Sequence, residues 1–277
     1  MSVTRLPRVG TAVRARPVGR IGTNLLASEW TKLRSVRSTF WTLFAAVATT
    51  IGVSAIACGV YVARYSHLSV TDRVDFDPAA FSLIGGVLSQ LAIAVLGVMV
   101  ITSEYGSRMI RTTFAAVPQR LRVLAAKTTV FAVVTLAVTG AACFIAFFVG
   151  QAILSTKGAE VGLGAPGALR TVVGTALYLA LLGLLALGIG TLIRKTAGAI
   201  IAVVGLIFVL PVLSALLPSS MDAVQKFLPS NAGQAIITRD GGGSATSLSP
   251  WVGLGVFCLY VALALGAAAF TLVRRDA

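Results

Sequence analysis

Long apolar runs alternate with short polar connections along this chain. A transmembrane helix needs about 20 apolar residues, because the hydrocarbon core of a bilayer is about 30 Å thick. Six runs meet this requirement, at about 41–63, 80–102, 129–152, 171–193, 197–217 and 251–273. Each is apolar all round the helix, as lipid-facing segments are, whereas barrel strands would alternate over about ten residues. The pattern predicts an all-α integral membrane protein with six transmembrane helices.

Composition narrows the class of protein further. Hydrophobic residues make up 57% of the 277 residues and charged residues 12%, against about 45–50% and about 25% in soluble domains. A soluble core of this length has no room for so much apolar surface, which excludes a water-soluble enzyme, a disordered chain and a disulfide scaffold. Cys58, Cys143 and Cys258 each lie inside an apolar run, and we interpret them as small apolar side chains.

The distribution of basic residues predicts the orientation. Of the 23 Lys and Arg residues, 17 fall in the N-terminal tail, the second and fourth loops and the C-terminus, and 6 in the other loops. The positive-inside rule then places both termini in the cytoplasm. The net charge of +14 suits the anionic inner leaflet rather than nucleic acid, because the basic residues sit between long apolar runs and nucleic-acid binding needs a basic soluble face. We expect residues 1–20 to form a mobile basic tail and residues 21–277 the six-helix domain.

Several kinds of chemistry are missing from the sequence. The predicted spans contain no Asp, Glu, Lys, Arg or His away from their ends, which argues against ion-coupled transporters, intramembrane proteases and metalloenzymes. His67, the only histidine, stands near Asp72, Asp75 and Asp77, too few ligands of the right kind for a metal site. Residues 162–167 match G-x-G-x-x-G but lack a βαβ context, and no G-x-x-x-x-G-K-[ST] occurs. We expect no catalytic residue, metal or cofactor on this chain.

The segment before the first run predicts an amphipathic helix. Residues 21–40 read IGTNLLASEWTKLRSVRSTF, with apolar residues at helical spacing. The apolar positions are Ile21, Leu25, Leu26, Leu33, Val36 and Phe40, and the charged residues on the flanks are Glu29, Lys32, Arg34 and Arg37. Such a helix lies at the membrane surface, with Trp30 and Trp41 at headgroup depth. A plain membrane anchor would show the same pattern.

The loop after the second run is long for a simple connection. Residues 103–127 read SEYGSRMIRTTFAAVPQRLRVLAAK, whereas most connections have about 4–6 residues. A short apolar face is formed by Met109, Ile110, Phe114 and Val117. Pro118 ends this helix, and another begins near Leu121 and leads into the third span. The first helix either lies on the membrane or docks into a groove on a partner.

Three segments of the chain resemble one family. Residues 28–39, SEWTKLRSVRST, resemble the start of type 2 ABC transporter permeases from high-GC Gram-positive bacteria. The loop is similar to that family's E-x-x-x-G-x-x-R-x-T…P-x-R…K pattern, with the glycine displaced to Gly106. The matching positions are Glu104, Tyr105, Arg111, Thr112, Thr113, Pro118, Arg120 and Lys127. Residues 227–236, FLPSNAGQAI, resemble the family's outer segment before the last helix.

The resemblance implies a function and a set of partners. It implies a multi-pass permease of the bacterial plasma membrane, paired with a second permease subunit and docked on a separate ABC ATP-binding subunit that holds ATP and Mg²⁺. The coupling residues would be Glu104, Tyr105, Gly106, Arg111, Thr112, Thr113, Phe114, Pro118, Arg120 and Lys127. The helix carrying Glu29, Trp30, Lys32, Arg34 and Arg37 would also touch the ATPase. This chain would be no enzyme itself, and its substrate, a lipid, a drug or a peptide, stays open.

The role of the chain, the role of Glu104 and the structure of the segment before Pro229 each have two possible interpretations. The chain could instead be a non-transporting scaffold or sensor subunit that binds another cytoplasmic protein. Glu104 either favours a nearby helix terminus or, with Arg111, orients a helix over 105–117 whose Phe114 fills an ATPase groove. On the predicted outer side of the membrane, Phe227, Leu228 and Pro229 belong to a predicted gate. We expect a short helix between Pro218 and Pro229 there, and a surface loop is the alternative.

Overall fold

The computed structural model describes residues 18–107, 109, 119–214, 216, 225–237 and 248–274, with side chains from residue 25 onward. All regular secondary structure within these residues is helical. Six of the helices are long and apolar enough to cross a membrane, and they cover Arg37–His67, Gly86–Gly106, Arg120–Lys157, Ala168–Ile193, Thr196–Ser214 and Pro250–Arg274. The predicted all-α class with six membrane-spanning helices is confirmed.

The helices are numbered here in chain order. Four helices come before the second span: α1 (Val18–Ser35), α2 (Arg37–Arg64), α3 (Val70–Val74) and α4 (Pro78–Phe81). The others are α5 (Gly86–Gly106), α6 (Arg120–Leu154), α7 (Ala168–Ile193), α8 (Thr196–Ser214), α9 (Pro229–Gln234) and α10 (Pro250–Arg274). The spans are α2, α5, α6, α7, α8 and α10, and one π-helical turn, Gly205–Val209, interrupts α8.

The helix boundaries differ from the apolar runs in ways that local chemistry explains. The second run begins with a short separate helix. Asp77 Oδ1 caps it by accepting hydrogen bonds from the backbone N–H groups of Ala79 and Ala80, at 3.0 and 3.2 Å. With Pro78 at the first helical position, this cap begins the separate helix α4. In contrast, α6 begins at Arg120, well before the apolar run at about 129, and so projects beyond the hydrophobic zone.

A break separates the N-terminal helix from the first span. Val36 is extended, with φ −84° and ψ 112°, so α1 and α2 are two helices rather than one continuous rod. The predicted amphipathic segment 21–40 therefore crosses the break, and its last residues belong to α2. The fourth and fifth spans join through a tight turn at Arg194, which adopts a left-handed conformation with φ 61°.

Helix α7 forms the centre of the bundle. It packs against α5, α6, α8 and α10, and 72% of its most apolar window is buried, against 17% for α8 and 22% for α2 and α10. Gly97 of α5 meets the backbone of α7 so closely that a Cβ there would collide with the Gly183 carbonyl. Within the described residues, α2, α8 and α10 are therefore mostly uncovered by the other helices.

Two ends of the bundle are distinguished below. The N-terminal face is the end where α1 packs beside the last turn of α5 and the first turns of α6. The distal face is the opposite end, which carries α3, α4 and α9. Neither name says on which side of a membrane a face lies.

Candidate functional site

Four charged side chains from three helices meet at the N-terminal face. Lys127 Nζ of α6 donates to Glu29 Oε2 of α1 at 2.6 Å and to Glu104 Oε1 of α5 at 2.8 Å. Lys32 Nζ of α1 donates to Glu29 Oε1 at 2.6 Å and to Glu104 Oε1 at 3.1 Å. Each cation contacts both carboxylates. The four side chains are called the charge cluster here, and with two lysines and two glutamates they have no net charge.

The charge cluster lies inside the protein. The side chains of Glu29, Glu104 and Lys127 are 2%, 4% and 4% exposed, and only Lys32 reaches solvent, at 27%. A buried charge without a partner costs several kcal/mol, and removing one member of a buried pair costs about 3–5 kcal/mol. Each ion of the cluster is therefore stabilised only while its neighbours stay in place, which fixes the relative positions of α1, α5 and α6.

Local sequence explains why these side chains converge. Leu25, Glu29 and Lys32 follow one another at helical spacing and share a face of α1. Leu25 packs with Val123 and Ala126 of α6 in a small buried apolar cluster. Because this contact turns the whole face toward the bundle, Glu29 is carried inward as well.

Glu29 is a correction to the sequence analysis, which placed it on a charged flank beside Arg34 and Arg37. Those two arginines are exposed, as a flank requires, whereas Glu29 is 2% exposed. Trp30 is exposed on the outside of α1, at 51%, in keeping with a headgroup position. The placement of α1 at the membrane surface stays a prediction.

Ion pairing sets the ionisation of the two α1 groups. Burial opposes the charged form of Glu29, but the attraction and hydrogen bonds of Lys127 and Lys32 outweigh it and hold the pKa of this carboxyl below its ordinary value of 4.5. Burial likewise opposes the charged form of Lys32, and its contacts with Glu29 and Glu104 raise its pKa above 10.5. Both groups are therefore charged at neutral pH.

Further contacts at the N-terminal face connect the remaining spans. Arg194, in the turn between α7 and α8, lies with its guanidinium 5.1 Å from the centre of the Tyr105 ring. Arg120 Nη1, at the start of α6, donates to the Leu272 carbonyl of α10 at 2.9 Å. The Thr196 hydroxyl of α8 donates to Thr102 Oγ1 of α5 at 2.9 Å. The residues that flank the 108–118 connection thus contact α1, α8 and α10.

The predicted coupling residues divide into two groups. The structure brings Glu104 and Lys127 together in the charge cluster, places Tyr105 and Arg120 beside it, and ends α5 at Gly106. The other predicted residues, Arg111, Thr112, Thr113, Phe114 and Pro118, lie outside the described residues. A helix over 105–117 that docks on a partner therefore stays a prediction. The described contacts of Glu104 are with Lys32 and Lys127.

One clue to the cluster was available in the sequence. Lys127 stands among apolar and small residues, LAAKTTVFAVV, where a lone lysine needs a partner. The sequence does not show that Glu29 is a partner of this lysine, because the two residues are 98 positions apart in the chain. Within the described residues, no group of three or more His, Cys, Asp or Glu side chains is placed to hold a metal ion.

The segment predicted as an outer gate lies at the distal face. Pro229 starts the buried helix α9, Leu228 precedes it, and the Phe227 carbonyl accepts a hydrogen bond from the Tyr260 hydroxyl at 3.1 Å. The helix predicted between Pro218 and Pro229 falls mostly outside the described residues. The predicted helix stays a prediction, and the described helix α9 begins at Pro229, as expected of proline at a first helical position.

Comparison of the chain with protein-family models finds no matching family, and comparison with curated proteins finds no significant match. The charge cluster and the contacts around it are therefore what a functional proposal has to start from.

Proposed function

We propose that this chain is the permease subunit of an ATP-binding cassette exporter of the type 2 permease class. The observation that carries the proposal is the charge cluster. It joins α1 to the last turn of α5 and the first turns of α6, the two ends of the 108–118 connection. These are the segments that, by resemblance, would receive the ATPase.

The cluster suits a mechanical connection better than a tether. A tether needs no fixed geometry. The buried ion pairs, in contrast, hold three helices in one arrangement, because moving any one of the helices away breaks two of the four ion pairs. A displacement of the 108–118 connection would move α5 and α6 together with α1. Because α5 packs closely on α7 at Gly97 and Gly183, the movement would reach the centre of the bundle.

The proposed division of labour follows from the sequence. The chain has no P-loop pattern, so ATP and Mg²⁺ would bind on a separate subunit, and the N-terminal face would be cytoplasmic in a bacterial plasma membrane. A second permease subunit would complete the substrate pathway. The sparsely covered surfaces of α2, α8 and α10 offer room for that subunit and for lipid. The direction of transport, out of the cell, is taken from the resemblance.

Co-purification with an ATP-binding subunit tests the proposal. The tagged chain, solubilised from native membranes, should retain a P-loop ATPase, and the complex should hydrolyse ATP while the isolated chain does not. Phe114→Asp should abolish retention without reducing membrane insertion, because burying a Phe side chain stabilises an interface by about 1.5–3 kcal/mol. Val70→Asp, an equivalent change at a site 77% exposed on the distal face, is the control.

Three outcomes would overturn the proposal. Proton-driven uptake by the isolated chain in vesicles would make it a secondary transporter. Normal retention of the ATPase by the Phe114→Asp variant would make the connection a tether. A complex whose ATP turnover never responds to the permease would favour the scaffold or sensor alternative.

A further inference from the structure

A cavity opens at the distal face, far from the charge cluster. It has a volume of about 170 Å³ and lies between the start of α5, the middle of α7 and helix α9. An engineered protein cavity of about 150 Å³ holds a molecule the size of benzene. The cavity therefore has room for a small chemical group such as a glycerol unit.

The cavity has a polar end built from buried side chains. The Tyr178 hydroxyl of α7 donates to Gln90 Oε1 of α5 at 2.9 Å, which fixes the orientation of the Gln90 amide. Both residues line the cavity and are almost completely buried, at 1% and 3% exposure. The Gln90 amide nitrogen makes no hydrogen bond to another described residue. Because Gln90 lines the cavity, this amide N–H is a donor available to an acceptor oxygen of a ligand.

The other end of the cavity is apolar and open. Ile84 and Val87 line it and are themselves 39% and 49% exposed. Because Val87 stands at the start of the span α5, the opening lies at the distal edge of the membrane-spanning zone. A ligand entering there would leave an apolar portion against these side chains.

The described lining contains no ionisable carboxylate, amine or imidazole. A charged headgroup would have to give up water without gaining an ion pair, at high cost. An uncharged headgroup pays no such penalty, and its oxygen atoms satisfy the Gln90 amide. The lining of the cavity thus favours a neutral, oxygen-rich ligand group over a phosphate or an ammonium.

We propose that this cavity binds the uncharged glycerol-ester headgroup of an amphiphile, with an acceptor oxygen on the Gln90 amide and the acyl chain along Ile84 and Val87. The proposal goes beyond the proposed transport function and does not rest on it, since binding needs neither an ATPase nor turnover. Its failure and the failure of the transport proposal are therefore separate results.

The test uses the full chain in phosphatidylcholine nanodiscs and a photoactivatable monooleoylglycerol as the probe. Monooleoylglycerol, oleic acid and oleylamine, which differ in headgroup charge, are the competitors. We expect saturable labelling that monooleoylglycerol suppresses at least about tenfold more effectively than the charged competitors. Gln90→Leu should weaken binding by up to about tenfold, the equivalent of one neutral hydrogen bond. Gln225→Leu, away from the cavity, is the matched control.

Two further variants separate binding from folding. Tyr178→Phe keeps the aromatic ring that packs beside Phe257 but loses the hydroxyl, so it should weaken binding while Tyr260→Phe does not. Gln90→Glu should shift the preference from monooleoylglycerol to oleylamine, a change that a purely structural role for Gln90 would not produce. Equal competition by all three amphiphiles, or unchanged binding in folded Gln90 and Tyr178 variants, would show that the cavity holds only water.

Discussion

Lys127 of α6 and Glu29 of α1 form a 2.6 Å ion pair although 98 residues separate them in the chain. Both side chains are almost completely shielded from solvent. The pair makes α1 part of the helical bundle rather than a loosely attached anchor. Separating α1 from α6 would break this pair and open the enclosed cluster in which both charges lie.

Removing the Lys127 charge should destabilise the protein strongly. Lys127→Met keeps the length and the apolar stem of the side chain but leaves Glu29 and Glu104 with Lys32 as their only described cation. We expect a loss of about 3–5 kcal/mol, the usual cost of breaking a buried ion pair. Thermal unfolding of the detergent-solubilised protein, followed by tryptophan fluorescence, measures it.

Lys195→Met is the control for this variant, because Lys195 is exposed on the same face and should tolerate the change within about 0.5 kcal/mol. A variant combining Lys127→Met with Glu29→Gln and Glu104→Gln should recover part of the loss, since no carboxylate is then left unpaired. Equal stability of Lys127→Met and the wild type would mean that the four charges do not form a buried unit.

The contribution of Glu29 to stability should depend on pH in the acid range. Its pKa is lowered in the folded protein, so its contribution is complete above its ordinary pKa of 4.5 and is lost as the pH falls through the lower folded value. We expect the difference in unfolding temperature between wild type and Glu29→Gln to be constant from about pH 7 to 5.5 and to shrink below 4.5. A difference that grows on acidification would contradict the assignment.

The contribution of Lys32 to stability has the opposite pH dependence. Its pKa is raised, so its contribution is complete below 10.5 and is lost as the pH rises through the higher folded value. At neutral pH the contributions of Glu29 and Lys32 are therefore both present.

The sequence predicted the six spans well, because about 20 apolar residues per span leave little room for another interpretation. It failed for Glu29, since helical spacing alone does not show which face of α1 meets the bundle; that depends on the contact of Leu25 with Val123. The distal cavity could not be predicted from the sequence either. Gln90 and Tyr178 lie in different apolar runs, and their hydrogen bond arises from the packing of α5 on α7.

Cysteine labelling should locate the two faces relative to the membrane. Cys258, which is exposed, is first replaced by Ala, whereas Cys58 and Cys143 are buried and can stay. Single cysteines at Val70 and Glu160, both exposed at the distal face, should react in intact cells with a membrane-impermeant maleimide. A cysteine at Lys195, exposed at the N-terminal face, should react only after permeabilisation. Labelling of position 195 from outside would reverse the predicted orientation.

Gly97→Ala should disrupt the contact between α5 and α7. An added Cβ would collide with the Gly183 carbonyl, a backbone atom that moves only if the helix moves. We expect a loss of about 1–3 kcal/mol, as for other overpacked cores, measured as a lowered unfolding temperature. Gly140→Ala on α6, where a Cβ meets nothing within 4 Å, should be neutral or stabilising. Equal behaviour of the two variants would mean that the helices are not in close contact at Gly97.

Glu104→Gln should separate assembly from coupling if the chain is the proposed permease. Glutamine has nearly the shape of glutamate and still accepts hydrogen bonds, while Glu29 still pairs with both lysines, so folding and ATPase retention should survive. The contact of α5 with Lys32 and Lys127 loses its ionic component, and α5 would follow α1 and α6 less closely. We expect permease-dependent ATP turnover to fall at least about fivefold, the lower end of typical coupling energies.

Glu160→Gln, an identical chemical change at an exposed distal site, should leave this turnover unchanged. The comparison uses the purified complex at equal subunit stoichiometry, so that a drop in turnover reflects coupling rather than lost assembly. If Glu104→Gln retained full permease-dependent turnover, the charge cluster would be a structural clamp. The path from the ATPase to the spans would then have to run through other residues, with the Arg194–Tyr105 contact as the first to examine.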